Sequence, residues 1–224
     1  MCGRYTLTSP GGVVGEEFGL QEASELEARY NISPGQQAPV VQVSGSKRRL
    51  SQLHWGFAPA KKGGRFLINA RSETVSELPS FASAFESRRC LVPANGFFEW
   101  RKHGVARAPY YLRLGCEEVF AMAGLWRGKA GRDSTESYVI LTTTANRLVG
   151  EIHDRMPVIL GREHFDAWLD PSNHEVESLR RLLQPISADR MVSHPVSSYV
   201  NSAFSEGEKC VEEVEPEAQQ QSLF

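Results

Sequence analysis

The order of apolar and polar residues along the chain predicts a protein built mainly of short β-strands. Five segments are rich in β-branched or aromatic residues and end at Gly, Pro or Ser turns: residues 39–43, 49–55, 110–114, 119–123 and 137–142. Shorter helical patterns occur at residues 24–29, 79–87, 145–152, 162–169 and 175–183. Neither a repeat nor a linker interrupts residues 1–204, so we predict a single β-rich α+β domain.

The end of the chain differs from this domain in charge. Residues 205–224 contain six Glu and one Lys, a net charge of −5, whereas the whole chain carries only −2. The first 204 residues are therefore net +3, and a mildly basic body is compatible with a nucleic-acid partner. We predict a domain over residues 2–204, followed by an acidic, flexible and disordered tail over residues 205–224.

Composition places the 224-residue chain among ordinary soluble proteins, because 41% of its residues are hydrophobic and no apolar run is long enough to span a bilayer. The N-terminus lacks a signal-peptide pattern, so we expect a cytoplasmic, nucleoid-associated protein in a bacterium and a nuclear one in a eukaryote. The four cysteines, Cys2, Cys90, Cys116 and Cys210, have no paired spacing. We therefore expect no disulfide framework, no metal site and no cofactor.

Cys2 directly follows the initiator methionine. Removal of Met1 would leave an α-amine and a thiol on the same residue, with reference pKa values of about 8 and about 8.5. Both groups would then have a reactive fraction near neutral pH. An aldehyde is the natural electrophile for this pair, since the amine forms a Schiff base and the thiol can close a thiazolidine ring on the same carbon.

Four further clusters carry groups suited to chemistry: residues 68–73, 92–100, 142–146 and 151–157. In the second cluster, Glu99 lies between Phe98 and Trp100, and burial there would raise its pKa towards that of a proton donor and acceptor at pH 7. In the fourth cluster, His153 has neighbouring charges that can set its protonation. Taken alone, Glu99 is better explained by an ion pair with Arg101 or a turn cap, and His153 by a surface position at a helix end, and spacing does not bring either to Cys2.

Several motifs occur in a fixed order along the chain: MCGRY at residues 1–5, YNISPG at 30–35, WG at 55–56, NARSE at 69–73, RCLVPANGFFEW at 89–100, AGLW at 123–126 and HDRMP at 153–157. Together they resemble the SRAP family, the abasic-site processing proteins formerly called SOS-response-associated peptidases. The resemblance extends from residue 2 to about residue 204. It implies the SRAP fold, in which mixed strands surround a barrel-like core with flanking helices.

The resemblance also implies an activity. A protein of this kind binds single-stranded DNA at an abasic site and forms a reversible thiazolidine crosslink between Cys2 and the ring-opened sugar, which shields the lesion during replication. It implies that Met1 is removed autocatalytically, that Asn69 positions Cys2 or the sugar, that Glu99 transfers protons, and that His153 assists ring opening and crosslink reversal. We expect a monomer with no membrane partner.

For the DNA strand, the resemblance implies contacts from five residues. Arg4 and Arg71 would hold phosphates, Trp55 and the loop at Pro34 would offer apolar surface to the bases, and Thr142 would line the path of the strand.

Two other functions remain open from the residues alone. Class II glutamine amidotransferases also use an N-terminal cysteine as nucleophile, towards an amide, although the other motifs here do not resemble their glutamine pocket. A non-covalent nucleic-acid-binding module is the second alternative, and it would bind intact and abasic strands alike.

Overall fold

The computed structural model describes residues 2–21, 25–59, 64–103, 106–116, 118–128 and 135–215. Strands dominate these residues: β1 (Tyr5–Leu7), β2 (Arg29–Ile32), β3 (Gln37–Ser44), β4 (Lys47–Trp55), β5 (Asn69–Arg71), β6 (Arg89–Ala94), β7 (Gly96–His103), β8 (Ala106–Leu114), β9 (Phe120–Arg127), β10 (Ser137–Thr144), β11 (Arg155–Pro157), β12 (Ile159–Leu160) and β13 (Met191–Pro195).

The helices are short: α1 (Gly11–Phe18), α2 (Ala82–Ser87), α3 (Arg147–Gly150), α4 (Phe165–Leu169) and α5 (Val176–Arg181). Single 3-10 turns occupy Arg162–His164, Ala188–Arg190, Ser198–Asn201 and Glu208–Cys210. In the described ranges, no helix combines the length and the apolar character needed to cross a membrane.

The strands form two sheets. The larger sheet has the order β11-β10-β4-β3-β6-β9-β12, and β9 also pairs with β10, so that β10, β4, β3, β6 and β9 close into a ring. The smaller sheet has the order β13-β8-β7-β1-β2. This is the β-rich α+β architecture with a barrel-like core that the sequence predicts.

The chain passes from the ring to the smaller sheet at Asn95, between β6 and β7. The side-chain oxygen of Asn95 accepts hydrogen bonds from the backbone N–H groups of Thr8 (2.6 Å) and Ser9 (3.2 Å), which fixes the chain that follows β1. The next residue, Gly96, lies against the ring of Tyr111, and a Cβ atom at this position would overlap that ring. The crossing therefore requires a residue without a side chain.

Large aromatic side chains fill the centre of the molecule. The hydroxyl groups of Tyr5 and Tyr138 are 2.7 Å apart, and the indole of Trp55 packs against both rings. The Trp55 Nε1–H donates to the carbonyl oxygen of Ile68 at 2.9 Å. Because Tyr5 belongs to the smaller sheet and Tyr138 to the ring, this cluster joins the two sheets.

The alternating patterns predicted the strands well, and the helices less well. Four of the five predicted strands lie within β3, β4, β8 or β10, and the fifth, at 119–123, begins one residue before β9. The helix predicted at residues 24–29 is wrong, since residues 25–28 are irregular and Arg29 begins β2. Conversely, α1 was not predicted, because its start, Gly11 and Gly12, has low helix propensity; burial of Val14 and Phe18 stabilises it instead.

The acidic segment after residue 204 packs against the domain as far as residue 215. Cys210 is buried, and Glu206 pairs with Arg29 at 3.2 Å and accepts the backbone N–H of Tyr30 at 2.7 Å. Val196 and Glu213 form a β-bridge. The packed chain therefore extends beyond the boundary predicted at residue 204, because this half of the acidic segment has buried and paired positions; residues 216–224 lie outside the described residues.

Replacing Gly96 by Ala tests the tight crossing between the sheets. The added methyl group has to displace the buried Tyr111 ring, whose hydroxyl is hydrogen-bonded to Thr6 at 2.8 Å. We expect a loss of roughly 1–3 kcal/mol in the free energy of unfolding, the usual effect of overpacking, measured by urea denaturation. Gly12→Ala in α1 is the control, because its Cβ meets nothing within 4 Å and should stabilise by up to about 1 kcal/mol. Equal stability of Gly96→Ala and the wild type would contradict the packing.

Candidate active site

The pairing of β1 with β7 brings Cys2 close to Glu99. Tyr5 lies opposite Phe97, and the backbone N–H of Phe98 donates to the carbonyl oxygen of Arg4 at 3.0 Å. Continued by one residue, this antiparallel register places Glu99 across from Gly3, next to Cys2. The Cys2 side chain is fully buried, with its sulfur 4.0 Å from the carbonyl oxygen of Arg4.

Asn69 approaches Cys2 from the ring of strands. It begins β5, which runs parallel to β10 with Asn69 opposite Ile140. The Nδ2 group of Asn69 donates to the carbonyl oxygen of Cys2 at 2.8 Å. Its Oδ1 atom is buried and has no hydrogen-bond partner within the described part of the chain. A buried amide oxygen without a donor is costly, so Asn69 offers an acceptor to a group that binds beside Cys2.

Glu99 is the carboxylate of this site, and it is only 2% exposed. Burial raises its pKa from about 4.5 to about 7, and the nearby charge of Asp154 also acts to raise it. Phe98 and Trp100, its neighbours in sequence, pack on the other side of β7 in a cluster with Tyr111. The desolvation predicted for Glu99 is therefore present, but the fold causes it rather than these two aromatic residues.

His153 follows α3 and contacts the two residues after it, Asp154 and Arg155. Its Nδ1 accepts the backbone N–H of Arg155 at 3.0 Å, while the Asp154 carboxylate lies 2.9 Å from the same nitrogen. The first contact favours a neutral ring and the second a protonated one. Because burial lowers the pKa of His153 below its usual value, we assign a ring that is neutral at pH 7 with its proton on Nε2.

The Cys2 thiol is less acidic than the sequence suggested. Burial raises its pKa far above the usual value, and the charge of Glu99 raises it further. A significant thiolate fraction at neutral pH, which we expected from the reference pKa, is therefore absent from the folded chain. Reaction at this sulfur needs a nearby base, and Glu99 is an acceptor whose pKa suits that role.

Arg71 and Pro34, expected to contact DNA, both have solvent-accessible side chains. Arg71 is exposed, two residues beyond Asn69 on the same side of β5, and no side-chain hydrogen bond or ion pair occupies its guanidinium among the described residues. Pro34 is half-buried in the turn that precedes β3. A free guanidinium beside the site suits a phosphate.

Arg4 is already engaged by the protein. Its guanidinium donates to Asn31 Oδ1 at 2.8 Å and to the carbonyl oxygens of Val200 (2.9 Å) and Asn201 (3.2 Å). It also lies 5.9 Å from the centre of the Trp100 ring. In this arrangement Arg4 holds the turn at residues 198–202 against β1, which is a structural role beside the predicted phosphate contact.

The DNA contacts expected of Trp55 and Thr142 stay predictions, and both side chains are buried in this structure. Trp55 is 1% exposed and Thr142 is fully buried. The Trp55 ring fills the aromatic core, and the Thr142 hydroxyl faces the carbonyl oxygen of Ala70 at 3.5 Å. Both side chains therefore belong to the packed interior.

Two residues near the site were not identified from the sequence. Arg155 forms a two-point ion pair with Glu73 (2.5 and 2.9 Å) and also donates to the carbonyl oxygen of Thr142 at 2.6 Å. Its place in the HDRMP motif was an available signal. Phe66 is 64% exposed beside Gly56, and nothing in its glycine-rich surroundings pointed to it.

No metal site accompanies these groups in the ranges that the structure describes, because no three His, Cys, Asp or Glu side chains come together there. All four cysteines are free. The chemistry available from these residues is that of a buried thiol, a carboxyl that titrates near pH 7, a neutral imidazole and an amide.

Comparison with known proteins gives consistent matches over nearly the whole chain. The family model "SOS response associated peptidase (SRAP)" matches residues 1–203. The abasic site processing protein YoqW of Bacillus subtilis is 38% identical over 95% of this chain and 99% of its own length. YedK of Escherichia coli, an abasic site processing protein, is 26% identical over 96% of this chain and all of its own.

A solved structure supports the fold. A crystal structure of a protein from Bacteroides thetaiotaomicron superposes with a TM-score of 0.81 and 25% identity, covering 96% of this chain and all of the other.

The raised pKa of Glu99 makes stability depend on pH. Between pH 4.5 and about 7, unfolded Glu99 loses its proton while folded Glu99 keeps it, so folding becomes less favourable as pH rises. The stability of the wild type relative to Glu99→Gln should therefore fall by on the order of 3 kcal/mol from pH 4.5 to about pH 8. Urea denaturation of both proteins across this range measures it.

Glu73→Gln is the matched control for this experiment. The hydrogen bond from Arg155 lowers the pKa of Glu73, so the stabilisation by Glu73 is present above the unfolded pKa and lost on acidification, the opposite trend. A pH-independent difference between wild type and Glu99→Gln would show that Glu99 is not desolvated in the folded state.

Proposed function

Because this chain belongs to the SOS response associated peptidase (SRAP) family, we propose that it processes abasic sites by forming a covalent crosslink between Cys2 and the ring-opened sugar in single-stranded DNA. The observation that carries the proposal is the buried Cys2 with Asn69 hydrogen-bonded to its carbonyl oxygen and Glu99 titrating near pH 7 beside it. Reaction with an aldehyde is the chemistry that an N-terminal cysteine in this setting supports best.

The reaction begins once Met1 has been removed and the Cys2 amine is free. The amine nitrogen attacks C1′ of the open sugar, and loss of one water gives the Schiff base. The Cys2 sulfur then adds to the same carbon while its proton ends on the nitrogen, which closes the thiazolidine ring. The net change is two new bonds to C1′ and the release of one water.

Glu99 moves the protons in this sequence. Ionised Glu99 accepts a proton from the amine or the thiol, and protonated Glu99 returns one to the departing hydroxyl of the carbinolamine. A carboxyl with a pKa of about 7 populates both forms at neutral pH. The high pKa of the Cys2 thiol makes this transfer necessary.

Asn69 and His153 position the reactants. The hydrogen bond from Asn69 holds the backbone of Cys2, and its unpaired Oδ1 accepts a hydrogen bond from the freed amine or a sugar hydroxyl. Neutral His153 donates from Nε2 to the sugar oxygen and favours the open aldehyde, and it assists reversal by the same path. Arg71 binds a phosphate beside the lesion.

The thiazolidine protects the strand better than the Schiff base does. An imine acidifies the neighbouring C2′ proton and so promotes β-elimination and strand cleavage, whereas the saturated ring has no such electron sink. The crosslink thus shields the lesion. Self-removal of Met1 is part of the proposal, because the register of β1 and β7 brings Cys2, the residue after the bond to be cut, close to Glu99.

Cys2→Ser should lose the durable adduct, because serine cannot form the sulfur ring and retains at most the reversible imine. The measurement is a denaturing gel after heating the protein with a single-stranded oligonucleotide that contains one abasic site. Cys116→Ser, which removes an exposed cysteine elsewhere, should crosslink like wild type. A chain with an extension that blocks removal of Met1 should form no adduct.

Three outcomes would contradict this proposal. An equally heat-stable adduct from Cys2→Ser would exclude the thiazolidine. Equal retention of intact and abasic strands, with release of both on denaturation, would indicate a non-covalent binding module. Glutaminase activity without any aldehyde adduct would indicate an amidotransferase-like hydrolase.

Glu99→Gln should slow crosslinking and flatten its pH dependence. In the wild type the rate should rise as Glu99 ionises through a pKa of about 7, because the ionised form accepts the thiol proton. Loss of general acid–base catalysis costs roughly 10²-fold or more. Single-turnover rates from about pH 5.5 to 8.5 measure both effects, and a variant that keeps the wild-type pH profile would remove Glu99 from the proton transfer.

A further inference from the structure

A pocket of about 450 Å³ takes no part in the chemistry above, although Trp55 and Gly35, which follows Pro34, are among the residues that line it. Its walls include His54, Trp55, Gly56, Phe66, Arg127 and Ser137. A second hollow of about 560 Å³ continues from it, since Arg127 and Gly128 line both. None of the described residues that line either hollow is acidic.

The pocket lies close to the residues that contact Cys2. Strand β10 pairs with Trp55 at Tyr138 and with Asn69 at Ile140, so the pocket wall and the cysteine-bound amide are two residues apart along one strand, or about 7 Å. Neighbouring nucleotides in a stacked strand are about 3.4 Å apart, and unstacking lengthens that step. A base next to a sugar held at Cys2 therefore reaches the pocket.

Phe66 provides an aromatic face at the rim of the pocket. It is 64% exposed, a high value for a phenylalanine, and it packs beside Gly56. Gly56 has a φ of +125°, and a Cβ there would lie 3.5 Å from Ile68 and 3.6 Å from Phe66. Glycine thus allows this backbone conformation, while a Cβ here would make only ordinary contact with the ring, which is itself largely open to solvent.

Arg127, which also lines the pocket, provides a guanidinium held in place by its neighbours. Its central carbon lies 4.2 Å from the centre of the Phe57 ring, and one Nη group donates to the carbonyl oxygen of Ser80. Stacking on Phe57 sets the plane of the guanidinium and leaves the other N–H groups to donate within that plane. A planar donor pair matches the two acceptors, O6 and N7, on the edge of guanine.

From these observations we propose that the pocket binds the unpaired base of a nucleotide adjacent to the abasic sugar and prefers guanine there. Phe66 stacks on the face of the base, a contact that tolerates any base, and Arg127 donates to the guanine edge. The inference rests on the proposed function for the position of the sugar, and it adds a sequence preference that the crosslinking chemistry alone does not contain.

The test separates base recognition from crosslinking by using two probes. The first is a single-stranded oligonucleotide with a tetrahydrofuran residue, which lacks the aldehyde and cannot react, flanked on either side by G, A, C, T or a baseless spacer. Its dissociation constant is measured by fluorescence anisotropy. The second is the matching true abasic oligonucleotide, whose crosslinking rate is measured below saturation.

In wild type, guanine on one side of the lesion should bind roughly tenfold more tightly than the spacer, and the crosslinking rate should follow. Phe66→Ala should lose the advantage of all four bases over the spacer. Arg127→Gln should lose only the preference for guanine. Arg181→Gln, which removes an exposed positive charge on α5, should keep the wild-type pattern.

Phe66→Leu is the control for a loss of folding. Leucine keeps an apolar side chain at the rim of the pocket but has no aromatic face. This variant should therefore fold and, like Phe66→Ala, lose the advantage of the four bases over the spacer. Indifference of the wild type to the flanking base on both sides overturns the inference, as does an unchanged preference in Phe66→Ala or in Arg127→Gln. Efficient crosslinking without a base preference refutes this inference alone. A base preference on the unreactive probe without crosslinking of the abasic one refutes the proposed function alone.

Discussion

The burial of Cys2 and Glu99 in one desolvated space is the constraint on which the rest of the site depends. The pairing of β1 with β7 creates it, because the register brings the start of the chain across from Glu99. Burial raises the pKa of both groups, so the thiol stays protonated at neutral pH while the carboxyl titrates near 7. The pair therefore consists of a protonated thiol and a carboxyl that can take up a proton near neutral pH.

Strand β10 positions the segments that surround that pair of side chains. It contacts β4, β5, β9 and β11, and so it closes the ring and sets the order of groups along one line. Trp55 lies opposite Tyr138, Asn69 opposite Ile140 and Arg155 opposite Thr144. Segments far apart in sequence thus lie a few ångströms apart, with the pocket at Phe66 at one end and the Arg155–Glu73 ion pair at the other.

Local patterns predicted only some of these features. Strands such as β3 and β10 were evident because their apolar, β-branched residues are buried along most of their length. Helix α1 was missed and a helix at 24–29 was wrongly expected, because burial of Phe18 and the pairing of Arg29 with Leu7 outweigh local propensity. Trp55 and Thr142 were assigned to DNA contacts, yet exposure follows from the packing of the whole domain, which buries them and exposes Phe66.

The sequence by itself determined the family, the β-rich fold class and the identity of the reactive groups, since ordered motifs and a cysteine after Met1 are local properties of the chain. Only the tertiary structure decided how those groups behave. A pKa depends on burial and on charges that come from distant segments, and this is why the Cys2 thiol is neutral, Glu99 titrates near 7 and Asn69 has an open acceptor. Accessibility is decided in the same way, by contacts between strands that no local pattern specifies.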